Sequence, residues 1–164
     1  MLYNRISQLA LRATLYLALQ TPGKLSPVYE IARGTGLSAP YLAKIMRRLI
    51  CAGLVRAFRG PGGGLELGKA PEAITLWAVV QAMDGPADEE PCVLGLRACS
   101  EQNPCPLHER WAPLRAEIQR LLEETTLESL ARGFRGGLGL NSSSWVQIAG
   151  AAPAGTPDSE RRSS

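Results

Sequence analysis

The sequence predicts a mostly α-helical fold: a winged helix-turn-helix, then a cysteine-bearing loop and a long dimerisation helix. Three observations predict it. Apolar residues recur at helical spacing, a short glycine-containing turn separates the second and third helical segments, and a glycine-rich hairpin follows directly. We divide the chain into four parts. These are a winged domain with its following helix (1–83), a cysteine loop (84–106), a dimerisation helix (107–132) and a tail whose composition predicts disorder (133–164).

The first two helices are predicted from their apolar stripes and their flanking residues. Residues 6–20 have apolar side chains on one helical face, and a Thr-Pro-Gly sequence ends that helix. The second helix is expected to begin with Ser26 as N-cap and Pro27 in the first helical position, where the missing N–H costs no hydrogen bond. We expect this helix to end at Gly34.

The third helix and the hairpin complete the winged helix. Ser38 is expected to cap the third helix, which extends to about Ala52. Strands are predicted over residues 54–58 and 65–67, on either side of a tip with the sequence Arg-Gly-Pro-Gly-Gly-Gly at 59–64.

Three more helices are predicted beyond the wing. The first covers residues 75–83. The second runs over 107–124, where Pro113 either starts the regular helix or kinks it. Its apolar residues are spaced by 4, 3, 4 and 3, which predicts a coiled-coil-like contact with a partner helix. These residues are Leu107, Trp111, Leu114, Ile118 and Leu121. Thr125 and Glu128 have the spacing of a capping box for a last short helix.

Charge is divided sharply along the chain. Up to residue 70 there are ten Lys or Arg against two acidic residues, whereas residues 71–130 have four Arg against eleven acidic residues. This division predicts an anionic partner for the first segment only. The sequence contains no apolar run of membrane-spanning length, and its N-terminal residues lack the pattern of a signal peptide. We therefore expect a cytoplasmic protein with no membrane partner.

The helix-turn-helix and the basic charge together predict binding to double-stranded DNA. A recognition helix enters the major groove, where Lys, Arg and Tyr side chains contact bases and phosphates. Wing glycines bring backbone N–H groups close to phosphate, and an arginine at the wing can enter the minor groove. The candidate DNA-contacting residues are Ser38, Tyr41, Lys44, Arg48, Arg59, Gly60, Gly62 and Gly63.

Two other functions are excluded by the motifs. The wing glycines do not form a P-loop, because Leu65 and Glu66 follow them in place of Lys and Ser or Thr. The chain has one histidine and no nucleophile–base arrangement around it, so an enzyme is not expected.

Cys92, Cys99 and Cys105 predict a metal centre on the loop. Thiolates suit zinc, copper(I) or iron–sulfur clusters, but the spacings of six and five intervening residues are wider than those of zinc ribbons and favour a cluster. His108 is the first candidate for a fourth ligand. Glu109, Asp84, Asp88 and a residue of a partner subunit are alternatives. We expect Cys51, by contrast, to be a small buried hydrophobic residue.

The chain resembles the Rrf-two family of bacterial winged-helix regulators, in its iron–sulfur cluster-binding branch, from Met1 to about Leu130. The resemblance rests on the sequences at 31–38, 41–42, 52–55, 59–64 and 71–76, followed by the three cysteines. The wing sequence at 59–64 is the most specific of these.

The resemblance implies a homodimer joined through the long helix, with the loop near the partner's N-terminal segment. It also implies that the state of a bound cluster changes DNA affinity. Cys92, Cys99 and Cys105 match the family's ligand positions, and His108 matches a ligand in one branch. Three departures leave the cluster type, 2Fe–2S or 4Fe–4S, and the DNA target open. Ser7-Gln8-Leu9 offers no carboxylate ligand, the first cysteine gap differs by one residue, and Ala43-Lys44 replace an acidic–amide pair.

Three functional hypotheses follow. The first is a homodimeric repressor or activator whose iron–sulfur cluster senses iron, oxygen or nitric oxide. The second is the same DNA-binding module with metal-free cysteines as a thiol redox sensor, for which Cys99 and Cys105 could form a disulfide. The third is a zinc-stabilised interaction protein that binds no DNA.

Overall fold

The computed structural model describes residues 4–85, 92–96 and 99–135. The order of elements confirms the predicted winged helix-turn-helix with helices on its C-terminal side. The elements are α1 (Arg5–Ala18), α2 (Val28–Thr35), α3 (Ala39–Cys51), β1 (Val55–Phe58), β2 (Gly64–Leu67), a 3-10 turn (Pro71–Ala73), α4 (Leu76–Asp84), α5 (His108–Glu124) and α6 (Leu127–Arg135). No helix within these described ranges is both long enough and apolar enough to cross a membrane.

One hydrophobic core joins α1, α2, α3, the wing, α4 and α6. Leu42 and Ile45 of α3 are fully or almost fully buried in it, together with Val79 of α4. Leu127 and Ala131 of α6 are completely buried in the same core, so the last helix folds back onto the winged domain. The first three residues of the predicted tail (133–164) belong to α6, and the rest lies outside the described residues. The predicted domain division stays a prediction.

The second helix begins and ends later than the sequence predicted. Ser26 is not its N-cap, because its backbone N–H donates to Leu65 O at 2.9 Å and its carbonyl accepts from Leu65 N–H at 2.8 Å. These bonds add Ser26 to the edge of the wing, and Pro27 becomes the N-cap. The helix continues past Gly34 to Thr35 and ends at Gly36, whose left-handed φ of 69° suits glycine.

The capping box of the last helix is also shifted by one residue. The side chain of Thr126 accepts from Ser129 N–H, and the side chain of Ser129 accepts from Thr126 N–H, both at 3.1 Å. The predicted pair, Thr125 and Glu128, makes other contacts and does not cap the helix. Thr125 Oγ1 donates to a carbonyl of the preceding turn, and Glu128 lies within ion-pair distance of two arginines of its own helix.

The predicted apolar seam of α5 lies mostly at the surface of the single chain. Leu107, Leu114 and Leu121 are 41%, 54% and 61% exposed, and Leu122 is the buried residue of this helix. The helix continues through Pro113. A 17-residue helix with exposed leucines at coiled-coil spacing offers an apolar face outside the core.

Candidate metal centre and nucleic-acid interface

Helix α3 separates an apolar inner face from a polar outer face. Its buried residues are Leu42, Ile45, Met46 and Leu49. The four predicted DNA-contacting residues of this region, Ser38, Tyr41, Lys44 and Arg48, are all exposed. Ser38 occupies the N-cap position, but its side chain makes no capping hydrogen bond. The apolar face of α3 packs into the core, and its outer polar side chains are exposed to a partner.

The wing presents the second group of predicted residues. Strands β1 and β2 pair antiparallel, with Phe58 opposite Gly64, and Arg59, Gly60 and Gly62 are exposed beyond them. Gly60 and Gly62 have φ angles of 94° and 73°, a conformation that side chains with a Cβ rarely adopt. A Cβ at Gly63 would lie 2.3 Å from the carbonyl oxygen of Phe58. The glycines therefore permit a narrow tip with an accessible backbone.

Another wing arginine is already paired within the chain. Arg56 Nη2 donates to Glu66 Oε1 at 2.9 Å across the two strands. Its guanidinium also lies 6.0 Å from the centre of the Phe58 ring, at the outer limit of a cation–π contact. Arg56 is therefore ion-paired across the strands, whereas Arg59 is exposed beyond them.

The three cysteines of the loop come together as predicted. Their sulfur atoms all lie within 4.8 Å of one another, and Cys92 Sγ is 3.7 Å from Cys105 Sγ. His108 Nδ1 is 3.3 Å from Cys99 Sγ, so the predicted fourth ligand contacts one of the three thiols. His108 is the first residue of α5, so the start of this helix places its imidazole beside Cys99.

The local environment changes the acidity of two of the thiols. Backbone N–H groups of Leu96 and Leu94 stabilise the thiolate of Cys92 and, with the thiols of Cys105 and Cys99, lower its pKa to about 7. At Cys99 the backbone N–H of Cys105 favours the thiolate, but partial desolvation and the neighbouring thiols outweigh it and raise the pKa. Cys92 is therefore partly ionised near neutral pH, whereas ionisation of Cys99 beside it is unfavourable.

Asp84, one of the alternative fourth ligands, already accepts hydrogen bonds within the chain. Asp84 Oδ1 accepts hydrogen bonds from Asn4 and Ser7 on α1, so this carboxylate is bound to the winged domain. Asp88 lies outside the described residues. The backbone donors to Cys92 and the contact of Asp84 with α1 were missed by sequence analysis, since neither depends on a recognisable motif.

Cys51 was predicted to be buried, and this prediction is wrong. It is the last residue of α3, and its side chain is exposed. The apolar stripe of α3 ends at Leu49, and residues 50–53 are exposed. Cys51 therefore belongs to neither the core nor the cysteine cluster.

The donor set fits a thiophilic metal group. Three thiols and one imidazole provide four soft or borderline ligands, a number that suits either a single tetrahedral ion or an iron–sulfur cluster. The three sulfur atoms all lie within 4.8 Å of one another, so these thiols are close enough to bind one metal group together.

Comparison with known proteins identifies relatives over most of the chain. The profile described as "Rrf2: Iron-dependent Transcriptional regulator" matches residues 3–133. An HTH-type transcriptional regulator of Aquifex aeolicus is 36% identical over 132 residues, covering 79% of this chain and 91% of that protein. The HTH-type transcriptional regulator IscR of Yersinia pseudotuberculosis is 37% identical over 121 residues, covering 74% of this chain and 73% of IscR.

Solved structures share the fold. CymR, the global cysteine regulator of B. subtilis, superposes with a TM-score of 0.66 at 29% identity, covering 78% of this chain and 94% of CymR. An oxidised form of Staphylococcus aureus CymR gives a TM-score of 0.63 at 25% identity, covering 79% and 94%. T. potens IscR gives 0.64 at 22% identity, covering 85% and 93%, and this similarity concerns the fold alone.

Proposed function

This chain belongs to the Rrf2 family of transcriptional regulators, and we propose that it is a homodimeric promoter-binding protein whose iron–sulfur cluster modulates its DNA affinity. The observation that carries the proposal is the cluster of three thiols and His108 on a winged-helix chain. The relatives named above are regulators and not enzymes, which agrees with the absence of a catalytic motif in the sequence. Binding promoter DNA implies a cytoplasmic location in a bacterium.

The DNA interface would combine the outer face of α3 with the wing. Tyr41, Lys44 and Arg48 are exposed on α3, and they would face the major groove while Ser38 lies at the N-terminal end of the helix. Arg59 and the glycines of the tip would contact the backbone and the minor groove. Basic residues are concentrated in this half of the chain, which supports an electrostatic contribution to binding.

Dimerisation would occur through α5. Leu114 and Leu121 of α5 and its N-cap Leu107 are exposed large apolar residues, and their spacing suits packing against the same helix of a second copy. A two-fold dimer would present two recognition helices to two half-sites of a palindromic operator.

The cysteine loop would hold the cluster through Cys92, Cys99 and Cys105, with His108 as fourth ligand. Bound there, a cluster would supply redox and ligand-exchange chemistry that iron loss, oxygen or nitric oxide can alter. The chain contributes the ligands, and the backbone N–H groups of Leu94 and Leu96 stabilise one of them as the thiolate. By linkage, the cluster changes DNA affinity only if it stabilises the DNA-binding conformation and the non-binding conformation to different extents.

Anaerobic purification followed by visible absorbance, iron, acid-labile sulfide and zinc assays on one sample tests the cofactor. We expect iron and sulfide in matching amounts and a cluster-type visible spectrum. DNA affinity is then compared between loaded and cluster-free protein at one salt concentration. Equal affinities would exclude the switch, and zinc without sulfide, even after reconstitution, would exclude the cluster.

A metal-free thiol switch is the second candidate function. The 3.7 Å approach of Cys92 and Cys105, with Cys99 nearby, is close enough for a disulfide to form after a small movement of the loop. The similarity to CymR, which has been solved in an oxidised form, favours the same idea. Mild peroxide would then remove two hydrogen atoms from a protein without iron, reducing the peroxide to water, and intact mass spectrometry would detect a loss of two mass units.

A further inference from the structure

The end of α4 is fastened to the start of α1 by a small polar network, which we call the Asp84 clasp (Asn4, Ser7 and Asp84). Asp84 Oδ1 accepts from Asn4 Nδ2 at 2.6 Å and from Ser7 Oγ at 2.8 Å. Asn4 is also the N-cap of α1, since its Oδ1 accepts from the backbone N–H of Ser7 at 3.0 Å. The clasp therefore joins segments about 80 residues apart in sequence.

The electrostatics of the clasp favour its contact with α1. Asp84 is the last residue of α4, where a negative charge is unfavourable beside the helix's own C-terminal carbonyls. The same carboxylate lies at the N-terminus of α1, where partial positive charge stabilises it. Ser7 is completely buried, and its hydroxyl is 2.8 Å from Asp84 Oδ1 and 3.3 Å from Asn4 Oδ1, so Asp84 is the nearer of its two acceptors.

The clasp is connected to the cysteine loop through the end of α4 and to the wing through α1. The loop follows α4 directly, and Cys92 is eight residues beyond Asp84. At its other end α1 reaches the wing, where Leu17 and Ala18 line a common cavity with Leu67 of β2. A displacement of Asp84 thus acts on a helix that also contacts the wing.

We propose that Asp84 is a positioning residue that transmits the state of the cysteine loop to α1 through Asn4 and Ser7. Cys92 follows Asp84 by eight residues, so metal binding at Cys92 would change how firmly the Asp84 carboxylate holds the first turn of α1. The regulatory use of this coupling rests on the proposed function, but the mechanical coupling does not. The two are therefore tested by different measurements.

Hydrogen exchange of the peptide containing residues 4–15 measures the clasp directly. Anaerobic, cluster-free protein is compared with and without added zinc, which loads the cysteines whatever the natural metal is. In the wild type we expect zinc to change exchange in this peptide. In Asp84→Ala, exchange at the start of α1 should be about tenfold faster from the outset, as expected for loss of one or two hydrogen bonds, and should no longer respond to zinc.

Two variants serve as controls. Thr75→Ala removes the side chain that caps the opposite end of α4, where Thr75 Oγ1 accepts from Ala78 N–H at 3.1 Å. It should destabilise α4 but keep the response of α1 to zinc. Asp84→Asn retains an oxygen acceptor for both donors and should recover part of the response that Asp84→Ala loses.

Each outcome decides one of the two claims. A wild type whose α1 ignores zinc binding, or an Asp84→Ala variant that responds like the wild type, would overturn the clasp. Bound zinc is confirmed on the same samples by native mass spectrometry. If α1 responds as expected but DNA affinity is the same for loaded and cluster-free wild type, the clasp stands and the regulatory function fails. If the clasp and the regulatory function are both correct, the ratio of DNA affinities between loaded and cluster-free protein should fall toward one in Asp84→Ala. In Thr75→Ala this ratio should stay at the wild-type value.

Discussion

Replacing Arg59 with alanine should reduce both the affinity for DNA and its dependence on salt. Arg59 is exposed beside the narrow glycine tip, and a dimer would carry two such wings. Each contact between a cation and a phosphate contributes about −0.9 to the slope of log affinity against log salt. Loss of two contacts should make the slope shallower by about 1.8. Wild type and variant would then differ by roughly 12-fold more at 50 mM than at 200 mM salt.

The assay is fluorescence anisotropy with a labelled operator duplex at several salt concentrations. Arg56→Ala is the matched control, because it removes the same charge from the same hairpin while Arg56 is already ion-paired with Glu66. We expect its slope to stay within a few tenths of the wild-type slope. An unchanged slope for Arg59→Ala would refute the placement of the wing on DNA. Equal losses in both variants would show that only the overall charge of the wing matters.

Three further predictions concern the dimer, the metal centre and the alkaline limit of stability. Leu114→Glu combined with Leu121→Glu should raise the dimer dissociation constant by more than about 100-fold, because each leucine buried in the dimer would contribute about 1.5–3 kcal/mol. Sedimentation velocity measures the dimer, and a dimer retained in the double variant would contradict the α5 interface. His108→Ala should weaken retention of the metal group by at least about tenfold, measured as iron and sulfide per subunit after anaerobic gel filtration; full retention would exclude the imidazole as a ligand. Burial and a hydrogen bond to Glu30 raise the pKa of Tyr16 from 10.0 to about 12, so the neutral phenol stabilises the fold below pH 10 and this contribution is lost as pH rises toward 12. Tyr16→Phe should therefore flatten the fall in unfolding free energy over that range in urea titrations, and an unchanged slope would contradict the raised pKa.

Local sequence signals predicted the recognition helix and the wing, since their determinants lie within a few residues of each element. The apolar spacing of α3 and the glycines of the tip act over short distances. The N-cap at Ser26 was wrong because the competing partner, Leu65, belongs to a strand far along the chain. Backbone pairing with β2 outweighs the capping preference of a serine side chain.

The grouping of the cysteines was predictable from the sequence, but their surroundings were not. Cysteine spacing singled out Cys92, Cys99 and Cys105, and their sulfur atoms lie within 4.8 Å of one another, while their role as metal ligands stays a prediction. The backbone donors that lower the pKa of Cys92 come from the fold of the loop, which side-chain identity does not encode. Cys51 was mispredicted for a related reason. Its position after Leu49 suggested the end of an apolar stripe, whereas a residue two positions after the buried Leu49 lies on the opposite, exposed face of the helix.

Close packing explains how a small movement of α4 can reach the DNA-binding face. Val79 and Met83 of α4 are buried in the same core as Leu42 and Ile45 of α3. Protein cores resist gradual deformation, so a shift of α4 requires the helices to repack together or not at all. Loosening the contact of Asp84 with α1 removes one constraint against such repacking. The position of α3 relative to the wing would then depend on the state of the cysteine loop, although the predicted DNA-contacting residues lie far from Cys92, Cys99 and Cys105 in sequence.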